Sequence, residues 1–268
     1  MLDLFTFYFF LFLLCHFIGD FYLQSKKMVR EKKGSFKKIA RHSVLYVVPF
    51  LILFFLSLFW NALPHFDFLQ FSIFVLILII SHFVIDSAKN QSQIKSIFLK
   101  VWILISSIFL FEKEISEKWV YIMDQLLHIG ILFIFSFWLS INSNFSVDLV
   151  TDMFFGLKVV LFIVIIHQPV NVTFKKLFSK YTPKEKDYVD GKEPILGAGS
   201  TIGTFERLLM GIFVSIDQFS AIGLIIAAKS IARYNKLSED SQFAEYYLIG
   251  TLYSVLMTII IYIILFKL

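Results

Sequence analysis

Leu4–Leu23 reads LFTFYFFLFLLCHFIGDFYL, a run whose one charged group is Asp20. A helix of about 20 apolar residues matches the ~30 Å hydrocarbon thickness of a bilayer. The run has no alternation of polar and apolar residues that would suit a barrel strand, so a membrane helix is expected. It lacks a basic leading region and a small-residue cleavage site, which reads as a retained first span rather than a cleaved signal.

Lys26, Lys27, Arg30, Lys32, Lys33, Lys37, Lys38 and Arg41 follow this run, against a single Glu31. By the positive-inside rule the 25–41 loop is cytosolic and the first helix runs outside to inside. Further apolar runs cover about 43–60, 71–88, 120–141, 153–174 and 246–266. The links 61–70 and 142–152 contain no Lys or Arg and read as outer loops. Loop 175–200, opened by Lys175 and Lys176, reads as cytosolic. Val101–Phe111 is too short to span, so 92–118 is expected to be an interfacial or re-entrant segment on the cytosolic side. Thr204–Tyr234 fits either one tilted crossing or a hairpin breaking near Asp217–Gly223.

Composition agrees. Of 268 residues, 58% are hydrophobic and 34 are Phe, and mean hydropathy is +0.77. A soluble domain of this size could not hide that much apolar surface. Cys15 is the only cysteine, which excludes an intrachain disulfide framework and a cysteine zinc site. The net charge of +5 is concentrated in loops. The expected fold is an all-α, polytopic transmembrane helical bundle of about six spans plus the interfacial or re-entrant segment. Two membrane domains are expected, 1–141 and 142–268. The expected setting is a cytoplasmic membrane, crossed several times, with loops 25–41 and 175–200 on the cytosolic side.

Ionisable groups inside membrane helices are costly, so each is a functional candidate. Three apolar helices carry a His and an Asp four residues apart: His16 with Asp20, His82 with Asp86, and Asp124 with His128. Residues at i and i+4 share a helical face. On the first and third spans His precedes Asp; on the fourth, which runs the other way, Asp precedes His. All three Asp therefore fall nearer the cytosol, with each His one turn deeper. His42 falls at similar depth. These four His and three Asp suit one or two divalent ions, Zn, Mn or Fe. Taken singly, each pair is also explained by local hydrogen bonding, and Asp86 by its neighbour Lys89. His65 reads as a solvated loop residue and His167 as an interhelical hydrogen-bonding one.

The words His16-Phe-Ile-Gly-Asp-Phe-Tyr-Leu-Gln24, His42, Ser81-His82-Phe-Val-Ile-Asp86 and Asp124-Gln-Leu-Leu-His128 resemble a bacterial membrane family, domain of unknown function 3307. Thr204-Phe-Glu206-Arg207, Gln218-Phe-Ser-Ala-Ile-Gly223 and Ala228-Lys229-Ser-Ile-Ala-Arg233 resemble its longer members. The resemblance implies a family and no reaction. A looser similarity, helix-borne His and Asp, is to membrane-bound metal-dependent hydrolases.

A second polar set closes the chain. Glu206–Arg207 is read as opening a helix after the Gly197–Gly203 link, where backbone N–H groups and Arg207 could hold a phosphate. Lys229 and Arg233 read as headgroup contacts or as a positive flank. Walker A, G-x-S-x-G, H-E-x-x-H and dinucleotide fingerprints are absent.

Three functions remain open on this reading. The first is a metal-dependent membrane hydrolase acting on a lipid-phosphate or similar amphiphile at the cytosolic face. Its ligands are His16, Asp20, His42, His82, Asp86, Asp124 and His128. Asp20, Asp86 and Asp124 are the catalytic candidates, and Arg207, Lys229 and Arg233 the anion clamps. The second is a small ion- or proton-coupled transporter or channel using the same cluster. The third is a membrane sensor or scaffold. The partners expected are the bilayer and anionic lipid headgroups, with no nucleic acid; a homo-oligomer is compatible with all three.

Overall fold

The computed structural model describes residues 2–25, 28, 35–59, 66–90, 117–142, 147–183 and 197–268. The described structure is helical, and six helices are long and apolar enough to cross a membrane. The expected 92–118 segment, save its last two residues, lies outside the described residues, as do His65, residues 26–27 and 29–34 of the 25–41 loop and residues 184–196 of the 175–200 loop. The chain divides into two compact units, Met1–Leu161 and Phe162–Leu268.

In the first unit, α1 (Leu2–Phe17) continues into a wide turn, Ile18–Tyr22, closed by the i→i+5 bond from Leu23 N to Ile18 O at 3.0 Å. This is a π-helical turn, a feature concentrated at functional sites. The second span is α2 (Phe36–Tyr46) and α3 (Val48–Phe59). Pro49 separates them: it has no N–H for the carbonyl of Leu45 and crowds the preceding turn. α2 starts earlier than the apolar run implied, because Ile39, His42, Ser43 and Tyr46 bury one face while Lys37, Lys38 and Arg41 occupy the other. α4 (Phe68–Asn90) and α5 (Glu117–Asn142) complete the bundle around α1.

Between lipid-exposed helices there is little hydrophobic drive, so packing must hold them together. Interlocking rings do this. Phe12 meets Phe50, Phe66, Phe74 and Phe135, and Phe74 stacks on Phe135 with ring centres 3.5 Å apart. Each such pair adds about 0.5–1.5 kcal/mol beyond area burial. Outward faces stay apolar, as Phe55, Ile73, Leu76 and Ile134 show.

α6 (Val147–Leu177) begins before the apolar run and carries Pro169. Asp148 and Asp152 therefore lie in its first turns and not in a loop. In the second unit, α7 (Ala198–Ser215) and α8 (Phe219–Ile231) form a hairpin broken at Asp217. Asp217 has φ 55°, a left-handed conformation that Asp tolerates better than most residues. Met210, Val214 and Ile222 pack at its centre, and Lys229 returns to within 2.6 Å of Glu206. Of the two paths open for 204–234, the structure shows the hairpin. α9 (Tyr234–Glu239) and α10 (Ser241–Phe266) follow, with Asp240 capping α10 by accepting from Phe243 N at 3.0 Å.

Candidate metal centre

The three sequence pairs converge at one end of the first unit. α1 and α5 run antiparallel, as the contacts of Phe5 and Phe9 with Phe133 and of His16 with His128 show. α4 and α5 do the same through Phe74–Phe135, His82–His128 and Lys89–Asp124. Histidine rings thus meet histidine rings, and Lys89 and Gln125 link the carboxylates, Lys89 joining Asp86 to Asp124 and Gln125 joining Asp20 to Asp124, the layering that the reversed letter order requires. Asn90 and Glu117, the helix ends flanking 91–116, lie at the same end of the bundle.

His16, His42, His82, Asp86, Asp124 and His128 are all buried, and the Asp20 side chain is 13% exposed. Asp20, His42 and His82 each offer a ligand atom, all within 4.8 Å of one another. His42 Nε2 lies 3.3 Å from Asp20 Oδ1 and 4.0 Å from Asp86 Oδ2; His82 Nε2 lies 3.7 Å from the same Asp86 oxygen. Ligand atoms about 2.1 Å from one tetrahedral ion sit about 3.4 Å apart. Asp20, His42 and His82 could hold a metal ion between them, and Asp86 Oδ2 stands beside both imidazoles.

The remaining members divide by their hydrogen bonds. His128 Nδ1 lies 2.7 Å from the Asp124 backbone oxygen, which only accepts, so Nδ1 carries the proton. Its Nε2 is then an unprotonated, buried nitrogen with no hydrogen-bond partner among the described residues. His16 is engaged on both sides. Gln125 Nε2 donates to Asp20 Oδ2 at 3.1 Å and to Asp124 Oδ2 at 3.3 Å, so Gln125 Oε1 is left as the acceptor 3.4 Å from His16 Nε2. His16 Nδ1 then accepts from Tyr46 OH at 3.0 Å. The His16 ring thus links Tyr46 to Gln125.

Two contributors, Tyr46 and Gln125, went unread in the sequence, and a third, Lys89, was read only as the neighbour of Asp86. Tyr46 stacks on His82 with ring centres 4.0 Å apart. Lys89 Nζ lies 2.8 Å from Asp124 Oδ2 and 4.0 Å from Asp86 Oδ1, so it serves a carboxylate on another helix more closely than its own neighbour. The signals existed: Tyr46 is one turn after His42, Lys89 is three residues after Asp86, and Gln125 adjoins Asp124.

The geometry also depends on Gly19. A Cβ there would sit 2.5 Å from the Tyr46 backbone oxygen. Its absence lets the wide turn carrying Asp20 press against α2, where His42 lies.

A family model described as "Protein of unknown function (DUF3307)" matches residues 8–155. The chain belongs to this family. The DUF3307 match contains the whole cluster from His16 to His128, and residues 156–268 extend beyond it. No curated protein and no solved structure matches the chain.

The other predicted residues lie outside the DUF3307 region, in the second unit. Arg207 is buried and sits two turns inside α7, not at its start, because α7 begins at Ala198 and takes in Gly199 and Gly203. Its Nε donates to Ile166 O at 2.6 Å, in the turn that Pro169 loosens. Its other nitrogens donate to Asn171 Oδ1 at 2.9 Å, Thr204 Oγ1 at 3.2 Å and Ser254 Oγ at 3.3 Å. Lys229 pairs with Glu206, and the Arg233 guanidinium lies 5.9 Å from the centre of the Phe243 ring.

Proposed function

We propose that the first unit houses one divalent metal ion and uses it to hydrolyse a lipid-phosphate or similar amphiphile at one face of the membrane. The observation that carries this reading is the buried Asp20, His42 and His82 group, supplied by three separate helical segments. Charge supports a single ion. Asp20, Asp86 and Asp124 bring three negative charges and Lys89 one positive, and buried charge must be compensated. One divalent cation balances the two charges left over.

A divalent ion held there supplies a Lewis acid and lowers the pKa of a coordinated water toward neutrality. The protein supplies the rest. Gln125 fixes the carboxylates of Asp20 and Asp124 relative to each other. Asp124 Oδ1, which has no hydrogen-bond partner among the described residues, is the proton acceptor. Lys89, with its side chain 34% exposed, lies at the rim, where it meets an incoming anionic group. Beyond the histidine layer the interior is filled by Phe12, Phe50, Phe74 and Phe135. A carrier or channel needs polar groups through that depth; a one-sided enzyme does not. By the positive-inside rule this face is the cytosolic one.

The test is turnover of short-chain lipid phosphates by the purified chain with Zn, Mn or Fe. Phosphate release is expected, abolished by chelator and lowered about 10²–10⁴-fold by Asp124→Asn. Absence of turnover together with metal passage into liposomes would favour the carrier and end the hydrolase reading. Lys89→Met checks the charge balance separately. It is expected to tighten divalent binding at least about tenfold in a chelator competition, because the carboxylates lose their competing cation. Unchanged or weaker binding would contradict the single-ion charge argument.

A further inference from the structure

The second unit holds a cavity of about 360 Å³ whose walls come from α6, α7, α8 and α10. That volume suits a small molecule rather than a bare ion. Among the described residues four cationic side chains line it, Lys175, Arg207, Lys229 and Arg233, and no carboxylate does.

Their charges are unequally compensated. Lys229 has Glu206 at 2.6 Å. Arg207 is buried, and its partners among the described residues are neutral oxygens of Ile166, Asn171, Thr204 and Ser254. Among the described residues no carboxylate pairs with it, and none pairs with Lys175 or Arg233. A guanidinium taken out of water without a counter-ion is costly, and the cost is relieved when an anion enters the cavity. The first turn of α7 opens on the same space. It has no side-chain cap, and Gly197 and Gly199 carry no side chain to cover it. Gly203 also makes room for the arginine: a Cβ would stand 3.2 Å from Arg207 Nη1. Phe243, Tyr246 and Tyr247 give the opposite wall an aromatic face.

We infer that this cavity binds a phosphoryl group carried on a small organic moiety, with Arg207 as its buried anchor and Lys175, Lys229 and Arg233 closing round it. Guanidinium, ammonium and free helix N–H groups are the donors that recognise phosphate oxygens. The aromatic wall takes the organic part. The inference stands apart from the metal centre and does not depend on it. The phosphoryl group could belong to a lipid headgroup or to a soluble phosphate ester, and the test separates the two.

The full chain in neutral detergent is titrated with dihexanoyl phosphatidic acid, glycerol 3-phosphate and inorganic phosphate. Each titration is repeated with Arg233→Glu and with Gly199→Asp. At Gly199 a Cβ meets nothing within 4 Å, and an acid in the first turn of a helix favours the helix. That variant therefore keeps or raises the melting temperature while placing a negative charge at the cavity. Saturable binding is expected, weakened at least about tenfold by either substitution. Binding of phosphatidic acid alone assigns a lipid headgroup; equal binding of glycerol 3-phosphate assigns a soluble ester. No binding of any probe, or binding unchanged in Gly199→Asp, would overturn the inference.

Discussion

Replacing His42 and His82 together with alanine is expected to abolish divalent-metal binding while leaving a folded, helical protein. Removing an outer-shell partner of a metal ligand costs about 10–100-fold in affinity. Two nitrogens of the set itself are lost here, so the affinity should fall well beyond about a hundredfold. The helices do not rely on these rings for closure, since Phe12, Phe50, Phe74 and Phe135 interlock beside them. The single change His16→Ala makes the comparison informative. The His16 nitrogens face Tyr46 and Gln125, so its loss should cost no more than an outer-shell residue does. Equilibrium dialysis against Zn or Mn measures both. Equal losses for His16→Ala and the double variant would remove the distinction between the inner donors and their supports.

Gly19→Ala is the second large effect expected. The added methyl would stand 2.5 Å from the Tyr46 backbone oxygen and 2.9 Å from Tyr46 Cδ2. A backbone oxygen cannot rotate away, so α1 and α2 must separate or the wide turn must re-form. Overpacking of this kind costs about 1–3 kcal/mol, and a backbone clash belongs at the upper end. For a chain of this size that lowers the melting temperature by roughly 6–12 °C. Metal affinity should fall with it, because the same turn carries Asp20 to His42. Gly130→Ala is the control: its Cβ meets nothing within 4 Å, and a mid-helix alanine is favoured over glycine. If Gly19→Ala melted with the wild type, the close approach of α1 and α2 would not be a determinant of the site.

Much of this was legible in the residues, for physical reasons. Long apolar runs dictate helices in lipid, and the six expected spans are there. The reversed order Asp124–His128 encodes an antiparallel neighbour, and the ring contacts of His128 with His16 and His82 realise it. What could not be read had ordinary explanations at the level of single residues. Lys89 looks like a basic flank, and only the packing of α4 on α5 brings it to Asp124. Gln125 is neutral, and its role as a bridge exists only when Asp20 arrives from α1. The π turn at Ile18–Tyr22 is a single turn long, below what periodicity can reveal. Helix ends differed most. Charged faces such as Lys37–Lys38–Arg41 and the helical glycines 199 and 203 were read as loop and link, although tertiary packing makes them helix. At Asp217 both paths were compatible with hydropathy, and a single left-handed residue selects the hairpin.

Asp20, His42 and His82 are proposed to form a metal centre in a membrane bundle. X-ray absorption at the metal edge tests it most directly, on the full chain purified in detergent and loaded in turn with Zn, Mn and Fe. About one ion per chain is expected for at least one of these metals, bound by nitrogen and oxygen at roughly 2.0–2.2 Å, with imidazole scattering and no sulfur. A protein that retains none of the three ions, or whose bound ion shows no imidazole, would contradict it.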